Sequence, residues 1–218
     1  GTPRITAQQL AARQAAGLMV EVPAWDDEEG IRVFLSACRG ACDENGIPLI
    51  VDDVVGGFRF ALGGSCERYG VRADMVCLGK AMSACGGLAA LVGRGDLVGM
   101  LADQVFYSTT FGGAPGLCRV ALETVRYLRR NNNFVYDHLF NIGTRLKDGL
   151  NAVFRECGIG AVCVGQPERS SLVFTAGEDA RREWCGRMIE RGVLLDRPQF
   201  PSLAHSLDDV ARTVEAAR

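Results

Sequence analysis

The sequence lacks the features that would place the chain in a membrane or on nucleic acid. No apolar run approaches the roughly 20 residues that a membrane-spanning helix requires. The 24 Lys and Arg residues are offset by 26 Asp and Glu residues, so the net charge of -2 favours neither nucleic acid nor an anionic membrane as a partner. The first twenty residues form an Ala- and Gln-rich amphipathic stretch with Arg4 and Arg13 rather than a signal peptide. We therefore expect a cytoplasmic protein.

Histidine is scarce, and the cysteines do not have the spacing of a metal site. The chain has 2 His and 9 Cys, and no two cysteines form a CxxC pair. Several of them, such as Cys77 and Cys163, lie within apolar runs, where a thiol behaves as a small hydrophobic group. We therefore expect reduced, structural cysteines, a reducing compartment and no bound metal.

The most informative pattern that is present is a strand, a helix and a second strand within about 35 residues. Apolar residues recur at helical spacing over residues 26–44, and Asn45-Gly46 is a typical left-handed cap. Residues 18–22 and 47–51 have the composition of buried strands on either side of this helix. This order predicts a βαβ unit within a parallel sheet.

The rest of the chain divides into two parts that differ in their predicted helices and strands. Two further buried strands are predicted over 73–78 and 88–92, and short strands over 161–164, 171–174 and 193–195. Further helices are predicted over 6–16, 115–129, 134–156, 179–191 and 207–217. We expect an α/β domain up to residue 133 and a smaller α+β domain over 134–218.

Polar groups follow three of the predicted elements. Asp52-Asp53 ends a strand, Lys80 follows another, and the hydroxyl run 108–110 precedes a Gly-Gly turn and a helix. Ligands of open α/β sheets bind beyond the carboxyl ends of the strands. A carboxylate can keep a pyridine nitrogen protonated, a lysine can bond covalently to an aldehyde, and a helix start suits a phosphate. These are the parts of a pyridoxal-phosphate site.

Each of these groups also has an ordinary interpretation when it is taken alone. An aspartate at a strand end is more often a turn former, a lysine after a strand is more often a solvated surface residue, and a Ser-Thr-Thr run is usually a loop. Residue type and position do not separate the two interpretations.

Several motifs, in the right order, resemble those of the class III (subgroup II) aminotransferases. Residues 52–59, Asp-Asp-Val-Val-Gly-Gly-Phe-Arg, are similar to the family's Asp-Glu-Val-x-Thr-Gly-Phe-Arg. Leu78-Gly79-Lys80-Ala81 is similar to the cofactor-lysine motif, and residues 109–115 resemble the segment Thr-Phe-x-Gly-Asn-Pro. Residues 61–64 and 69–74 resemble the glutamate-1-semialdehyde 2,1-aminomutase branch, and residues 190–193 and 203–205 resemble the family's C-terminal domain.

The resemblance implies a fold and a cofactor. Residues 1–133 would be the C-terminal part of the large cofactor domain of fold type I, with a mostly parallel sheet and flanking helices. Residues 134–218 would be the small C-terminal α+β domain. The cofactor would be pyridoxal 5'-phosphate (PLP), and the active enzyme would be a homodimer or heteromer with its site at the interface.

The resemblance also implies roles for individual residues. Lys80 would bind the cofactor covalently and then act as the general base and acid. Asp52 would pair with the pyridine nitrogen, and Val54 would pack on one face of the ring. Thr110 would bind the cofactor phosphate in the neighbouring subunit's site. His205 lies in a matching motif, and we expect it to be structural.

The chain departs from the family pattern at several positions. Asp53, Gly56 and Ala114 replace the usual Glu, Thr and Asn, and Val55 stands where many ω-aminotransferases have Gln. Residues 198–201 contain no match to the arginine that binds a substrate α-carboxylate in many members. The missing arginine argues against ordinary exchange with an α-keto acid.

A full-length relative is about twice as long, and its N-terminal half supplies the phosphate loop, an aromatic residue on the other ring face and part of the substrate pocket. A half-lined site cannot exclude water or pre-organise a cofactor. We therefore expect one half of a split aminotransferase or aminomutase for a small amino acid or amino-aldehyde, inactive without an N-terminal-half polypeptide. That half would come from a separate gene, from a cleaved precursor or from the rest of a longer chain.

Two alternatives stay open at the level of sequence. A racemase or decarboxylase of the same fold would use the same lysine and aspartate. A non-catalytic remnant or scaffold subunit would keep the fold alone, although the joint retention of Lys80, Asp52 and Thr110 argues against decay.

Overall fold

The chain forms two compact units in a computed structural model that describes residues 7–110, 112–195 and 198–218. The first unit comprises Gly1–Pro23 with Asp27–Asn132, and the second comprises Ala24–Asp26 with Asn133–Arg218. Among the described helices, none combines the length and apolar character needed to span a bilayer.

The first unit contains a four-stranded, mostly parallel sheet, as predicted. Its strands are β1 (Leu18–Glu21), β2 (Leu49–Asp52), β3 (Met75–Leu78) and β4 (Ala90–Gly93). They lie in the order β1-β2-β3-β4, with the first two pairings parallel and the third antiparallel. The helices are α1 (Ala7–Ala12), α2 (Glu28–Asn45), α3 (Gly64–Tyr69), α4 (Gly95–Val98) and α5 (Pro115–Arg130), with short 3-10 turns at Lys80–Met82 and Gly99–Ala102.

Helix α2 completes the predicted βαβ unit, and its ends explain its length. The Asp27 side chain accepts a hydrogen bond of 2.8 Å from the Gly30 N–H and caps the first turn. Gly46 ends the helix in the left-handed conformation, with φ 62°. Between these caps, one helix face buries Ile31 and Leu35 completely, and this packing joins the crossover to the sheet.

Asp74 ties together the amino-terminal ends of the parallel strands. Its carboxylate accepts bonds of 2.8 Å from the Leu49 N–H, 2.7 Å from Arg39 and 3.0 Å from Arg94. Burial opposes its ionisation, but these donors outweigh burial and lower the pKa of Asp74 to about 2. The stabilisation is therefore present above the ordinary pKa of an aspartate and is lost as the pH falls through about 2. This ion-pair cluster secures the end of the sheet opposite to the predicted site.

The second unit packs three helices on a small antiparallel sheet. Its elements are α6 (Asn132–Glu156), β5 (Ala161–Val164), β6 (Ser171–Phe174), α7 (Glu178–Glu190) and α8 (Leu207–Ala216), with a 3-10 turn at Pro167–Arg169. Phe154 and Trp184 pack edge to face, with ring centroids 5.6 Å apart. Leu150, Leu172 and Met188 complete a core in which each is at most 1% exposed. The Ser206 and Asp209 side chains form a reciprocal capping box at the start of α8, where the sequence predicted a helix start.

Three strand predictions need correction. The strand predicted over 193–195 is wrong, because Leu194 is 85% exposed and the Ser170 carbonyl is instead paired with the Gln199 N–H at 2.8 Å. Strand β4 forms but is not buried, because it lies at a sheet edge with β3 as its described neighbour and leaves Leu91 40% exposed. Strand β1 lies at the other edge, and its Met19 is 55% exposed.

Gly143 allows α6 to approach the backbone of the 3-10 turn at Pro167–Arg169 closely. A Cβ atom at this position would overlap the carbonyl oxygen of Pro167, which is backbone and cannot rotate away. Gly40 of α2 is a matched control, because no atom lies within 4 Å of the Cβ that an alanine would add. Gly143→Ala should lower the free energy of unfolding by about 1–3 kcal/mol, whereas Gly40→Ala should raise it by about 0.5–1 kcal/mol. Denaturant titration of both variants tests this contrast, and equal shifts of one sign would contradict it.

Candidate active site

The structure brings Asp52 and Lys80 to the same edge of the sheet. Asp52 is the last residue of β2 and lies in register with Cys77 of the parallel strand β3. Lys80 follows β3 after a single residue, Gly79. Because β2 and β3 are neighbours and run in the same direction, both polar residues lie at their carboxyl ends, where ligands of such sheets bind.

Lys80 has an unusual backbone conformation. Its φ of 41° lies in the left-handed region, which costs a non-glycine residue about 1–2 kcal/mol. The side chain is exposed, and the Lys80 carbonyl accepts a bond of 3.2 Å from the Ser83 N–H. The loop beyond is attached to α5 by a 3.1 Å bond from the Ala84 N–H to the Thr124 hydroxyl. Strain of this kind is held at functional sites by the surrounding structure, and this loop is held at both ends.

The loop after β2 packs directly against the Lys80 loop. A Cβ atom at Gly79 would lie 3.4 Å from Cγ1 of Val54, so the Val54 side chain adjoins the residue that precedes Lys80. A Cβ atom at Gly57 would lie 2.8 Å from Cδ2 of Leu78, at the end of β3. The predicted ring-packing residue and the predicted cofactor lysine are therefore neighbours.

The two adjacent carboxylates have different surroundings. Asp52 is half-buried, and its Oδ1 accepts a bond of 3.2 Å from the Val54 N–H. Asp53 is 1% exposed and accepts bonds from the backbone N–H and the hydroxyl of Ser65. Burial, followed by the nearby Asp52 carboxylate, raises the pKa of the Cys77 thiol. Asp52 is therefore the carboxylate that a ligand can reach, and Asp53 is structural.

The hydroxyl run lies on the stretch that leads into α5. Thr110 is exposed, and the Thr109 hydroxyl accepts a bond of 2.5 Å from the Gly112 N–H. Pro115 then occupies the first turn of α5. Phe111, which belongs to the predicted motif, lies outside the described residues. The role of Thr110 towards a neighbouring subunit stays a prediction.

His205 lies in the second unit and has a structural environment. Its Nδ1 accepts a bond of 3.0 Å from the Ser202 N–H, and its carbonyl oxygen lies 3.0 Å from Nε2 of His138. These contacts agree with the structural role expected from the sequence.

The nine cysteines are free thiols, and their exposure varies more than expected. Cys38, Cys42 and Cys163 are buried as small hydrophobic groups, and burial raises the pKa of Cys38 to about 11. Cys85 and Cys118 are exposed.

The described residues fit one side of a PLP molecule. The exposed lysine suits the amine-reactive carbon, and the half-buried carboxylate suits the ring nitrogen. The apolar side chain that touches the lysine loop suits one face of the ring. The sequence profile of aminotransferase class-III matches residues 6–195. The chain belongs to the class III aminotransferases.

Individual proteins are similar to the chain along most of its length. The chain is 30% identical over 205 residues to the glutamate-1-semialdehyde 2,1-aminomutase of Clostridium novyi (strain NT), a match that covers 86% of this chain and 47% of that protein. The FumI protein of Sphingopyxis sp. MTA144, solved in its PLP internal aldimine form, superposes with a TM-score of 0.81 at 26% identity, over 97% of this chain and 54% of that one. The β-phenylalanine aminotransferase of Variovorax paradoxus shares the fold, with a TM-score of 0.79 at 20% identity over 96% and 53% of the two chains.

These matches confirm the family, the fold class and PLP as the cofactor of the family to which the chain belongs. The chain spans about half the length of the relatives it matches. The individual roles of Lys80, Asp52, Val54 and Thr110 stay predictions.

Sequence reasoning missed the role of Asp53 and Ser65. The sequence showed Asp53 only as a departure from the family motif. It gave no indication that the buried Ser65 binds Asp53. The fixed spacing of 12 residues between them gives no periodic pattern that could have shown the contact.

Proposed function

We propose that this chain is the Lys80-bearing half of a PLP-dependent aminotransferase or aminomutase that acts on a small amino acid or amino-aldehyde. The observation that carries the proposal is the convergence of Asp52, Val54 and Lys80 at the carboxyl ends of two neighbouring parallel strands. The aminomutase of Clostridium novyi, similar along most of the chain, supports a small amino substrate.

Each of these side chains would have one task. The bound cofactor supplies an electron sink for negative charge that develops on the substrate carbon. The Asp52 carboxylate would hold the proton on the pyridine nitrogen, and Val54 would pack on one face of the ring. The Lys80 amine would bind the cofactor covalently and, once released, would move a proton to or from the substrate carbon.

The site described by these residues is open on one side. Lys80 is exposed, Asp52 is half-buried, and strand β4 beside β3 is largely exposed. Water at such a site weakens every electrostatic contact and competes for the reacting groups. We propose that the site is closed by the part of the relatives' length that these residues do not span, supplied by an N-terminal-half polypeptide. A dimer would add Thr110 from the neighbouring subunit.

Lysine usage makes the proposal testable by mass spectrometry. The chain contains only two lysines, Lys80 and Lys147, and the Lys147 amine donates to Asp26 and, at 2.7 Å, to the Gly165 carbonyl. An affinity-tagged chain isolated from its own cells should bring a second polypeptide with it and should absorb near the visible range. Borohydride reduction should place the cofactor mass on the Lys80 peptide.

The purified chain alone, given PLP, should show little of this adduct. Isolation of the chain with neither a partner nor a Lys80-linked cofactor would support the non-catalytic alternative. An adduct on Lys147 alone would remove the proposed role of Lys80.

A further inference from the structure

Asp53, next to Asp52, is held through both its side chain and its backbone. Its carboxylate accepts bonds of 2.8 Å from the Ser65 N–H and 2.5 Å from the Ser65 hydroxyl. Its own N–H donates to the Cys77 carbonyl at 3.0 Å, and its carbonyl accepts from the Gly57 N–H at 2.7 Å. Both Asp53 and Ser65 are at most 1% exposed, so these bonds do not compete with water.

Two glycines make room for this pair. A Cβ atom at Gly56 would overlap both Oδ1 of Asp53 and the Ser65 hydroxyl, and a Cβ atom at Gly64 would overlap Oδ2 of Asp53. The similar motif of the class III aminotransferases has Glu at position 53 and Thr at position 56. A threonine at position 56 cannot coexist with the Ser65 hydroxyl as it lies here. The space that a threonine would fill is taken by the hydroxyl of Ser65.

We infer that Ser65 and Asp53 form a positioning pair for the cofactor site, in which the Ser65 hydroxyl takes the place of the motif's threonine and the pair fixes the directions of Asp52 and Val54. The benefit of this pair to the cofactor rests on the proposed function, whereas the contacts of the pair do not. The Asp53 N–H is bonded to β3 and the Asp53 carbonyl closes the turn to Gly57, so the pair holds the backbone that carries Asp52 on one side and Val54 on the other. Asp52 is then directed to the ligand side, and Val54 is directed to Gly79.

A comparison of two buried serines, Ser65 and Ser170, distinguishes a positioning role of Ser65 from a merely structural one. Ser65 and Ser170 are both 0% exposed, and each hydroxyl donates one described bond, the latter at 3.0 Å to Gln199 in the second unit. Ser65→Ala should lower Tm by about 10 °C or less and Ser170→Ala by about 5 °C or less, because only Ser65 donates to a carboxylate. Both variants should stay folded at the temperature of the assays. A difference between the variants at the site cannot then be attributed to unfolding.

The first readout needs no cofactor. Cys77 lies in register with Asp52, and burial followed by the Asp52 carboxylate raises the pKa of its thiol. Alkylation of Cys77, followed by peptide mass spectrometry across pH, reports the position of that carboxylate. Ser65→Ala should move the midpoint of this profile to lower pH because Asp52 is no longer held in place, and Ser170→Ala should leave it unchanged. An unchanged Cys77 profile in Ser65→Ala would overturn the inference.

A second experiment introduces the family's Glu and Thr at positions 53 and 56. Gly56→Thr alone should be strongly destabilising, because its Cβ overlaps the pair. The triple variant Asp53→Glu, Gly56→Thr, Ser65→Ala should recover part of the lost Tm and the Cys77 profile. Recovery of Tm is only partial because the ring of Phe60, whose Cε2 would lie 2.8 Å from the Cβ at position 56, must still move. A decrease in Tm of the triple variant that equals the sum of the decreases of the single variants would count against the inference. If Ser65→Ala does not fold, Asp53→Asn weakens the same pair at nearly constant volume and should give the same change in the profile.

The cofactor arm distinguishes this inference from the proposed function. In the assembled protein at limiting PLP, Ser65→Ala should reduce the fraction of Lys80 that carries cofactor about tenfold or more, because a displaced Asp52 loses its charge-assisted hydrogen bond to the ring nitrogen. A native assembly without cofactor, together with the expected Cys77 profiles, would refute the proposed function and leave the pair standing. A loaded native assembly, with Ser65→Ala equal to it in loading and in the Cys77 profile, would refute the pair and leave the function standing.

Discussion

Lys80→Ala should abolish covalent cofactor attachment and should lower turnover of the assembled enzyme by about 10² to 10⁴-fold, the usual contribution of a positioned acid-base group. The structure explains why the loss should be confined to chemistry. Lys80 is exposed and lies in a loop that is anchored through its backbone and through the Ala84–Thr124 bond. Truncation of an exposed side chain usually changes the free energy of unfolding by no more than about 0.5 kcal/mol. Borohydride reduction followed by mass spectrometry measures attachment, and denaturant titration measures stability.

Two control variants complete this experiment. Lys147→Arg keeps a cation beside Asp26 and should leave the absorbance and the adduct on Lys80 intact. Lys80→Gly also removes the amine, but it relieves the left-handed strain at φ 41°, so it should be at least as stable as Lys80→Ala. Retention of the absorbing species in Lys80→Ala, or its loss in Lys147→Arg, would mean that the cofactor is held elsewhere.

The parts of the site that could be predicted from the sequence depend on local pattern. Helix α2 was predictable because its apolar spacing and its Gly46 cap lie within one segment. The common location of Asp52 and Lys80 followed from their places after two strands of an α/β sheet, since ligands bind beyond the carboxyl ends of such strands. The family motifs added the residue roles, which geometry alone does not assign.

The parts that could not be predicted depend on contacts between distant segments. The exposure of β4 follows from its place at the edge of the sheet, which an apolar run does not reveal. Residues 193–195 have strand composition, but the Val193 N–H is bonded to the Met188 carbonyl at the end of α7, and Ser170 pairs with Gln199. The pairing of Asp53 with Ser65 depends on how the loop between them closes, and two ordinary residue types give no sign of it.

Asp52→Asn should weaken cofactor binding by the assembled enzyme about 10- to 100-fold, because a hydrogen bond to a charged group contributes about 1.5–3 kcal/mol. The amide has nearly the same shape, so the half-buried position should tolerate it without a large change in stability. The loss should appear in the cofactor dissociation constant, measured by the absorbance of the bound cofactor, and in turnover. Asp52→Glu keeps the charge but displaces it, so it should lose less affinity than Asp52→Asn.

In the Asp52→Asn variant, the alkylation of Cys77 shows whether the Asp52 carboxylate lies beside β3. Because the Asp52 carboxylate contributes to the raised pKa of the Cys77 thiol, its removal should move Cys77 alkylation to lower pH, in the chain alone and without cofactor. Burial is the larger cause and is unchanged, so the pKa should stay above the ordinary value of a thiol. A shifted Cys77 profile with undiminished cofactor affinity would show that Asp52 lies beside β3 as described but does not serve the pyridine nitrogen. That combination would transfer the role to another group and would leave the fold assignment untouched.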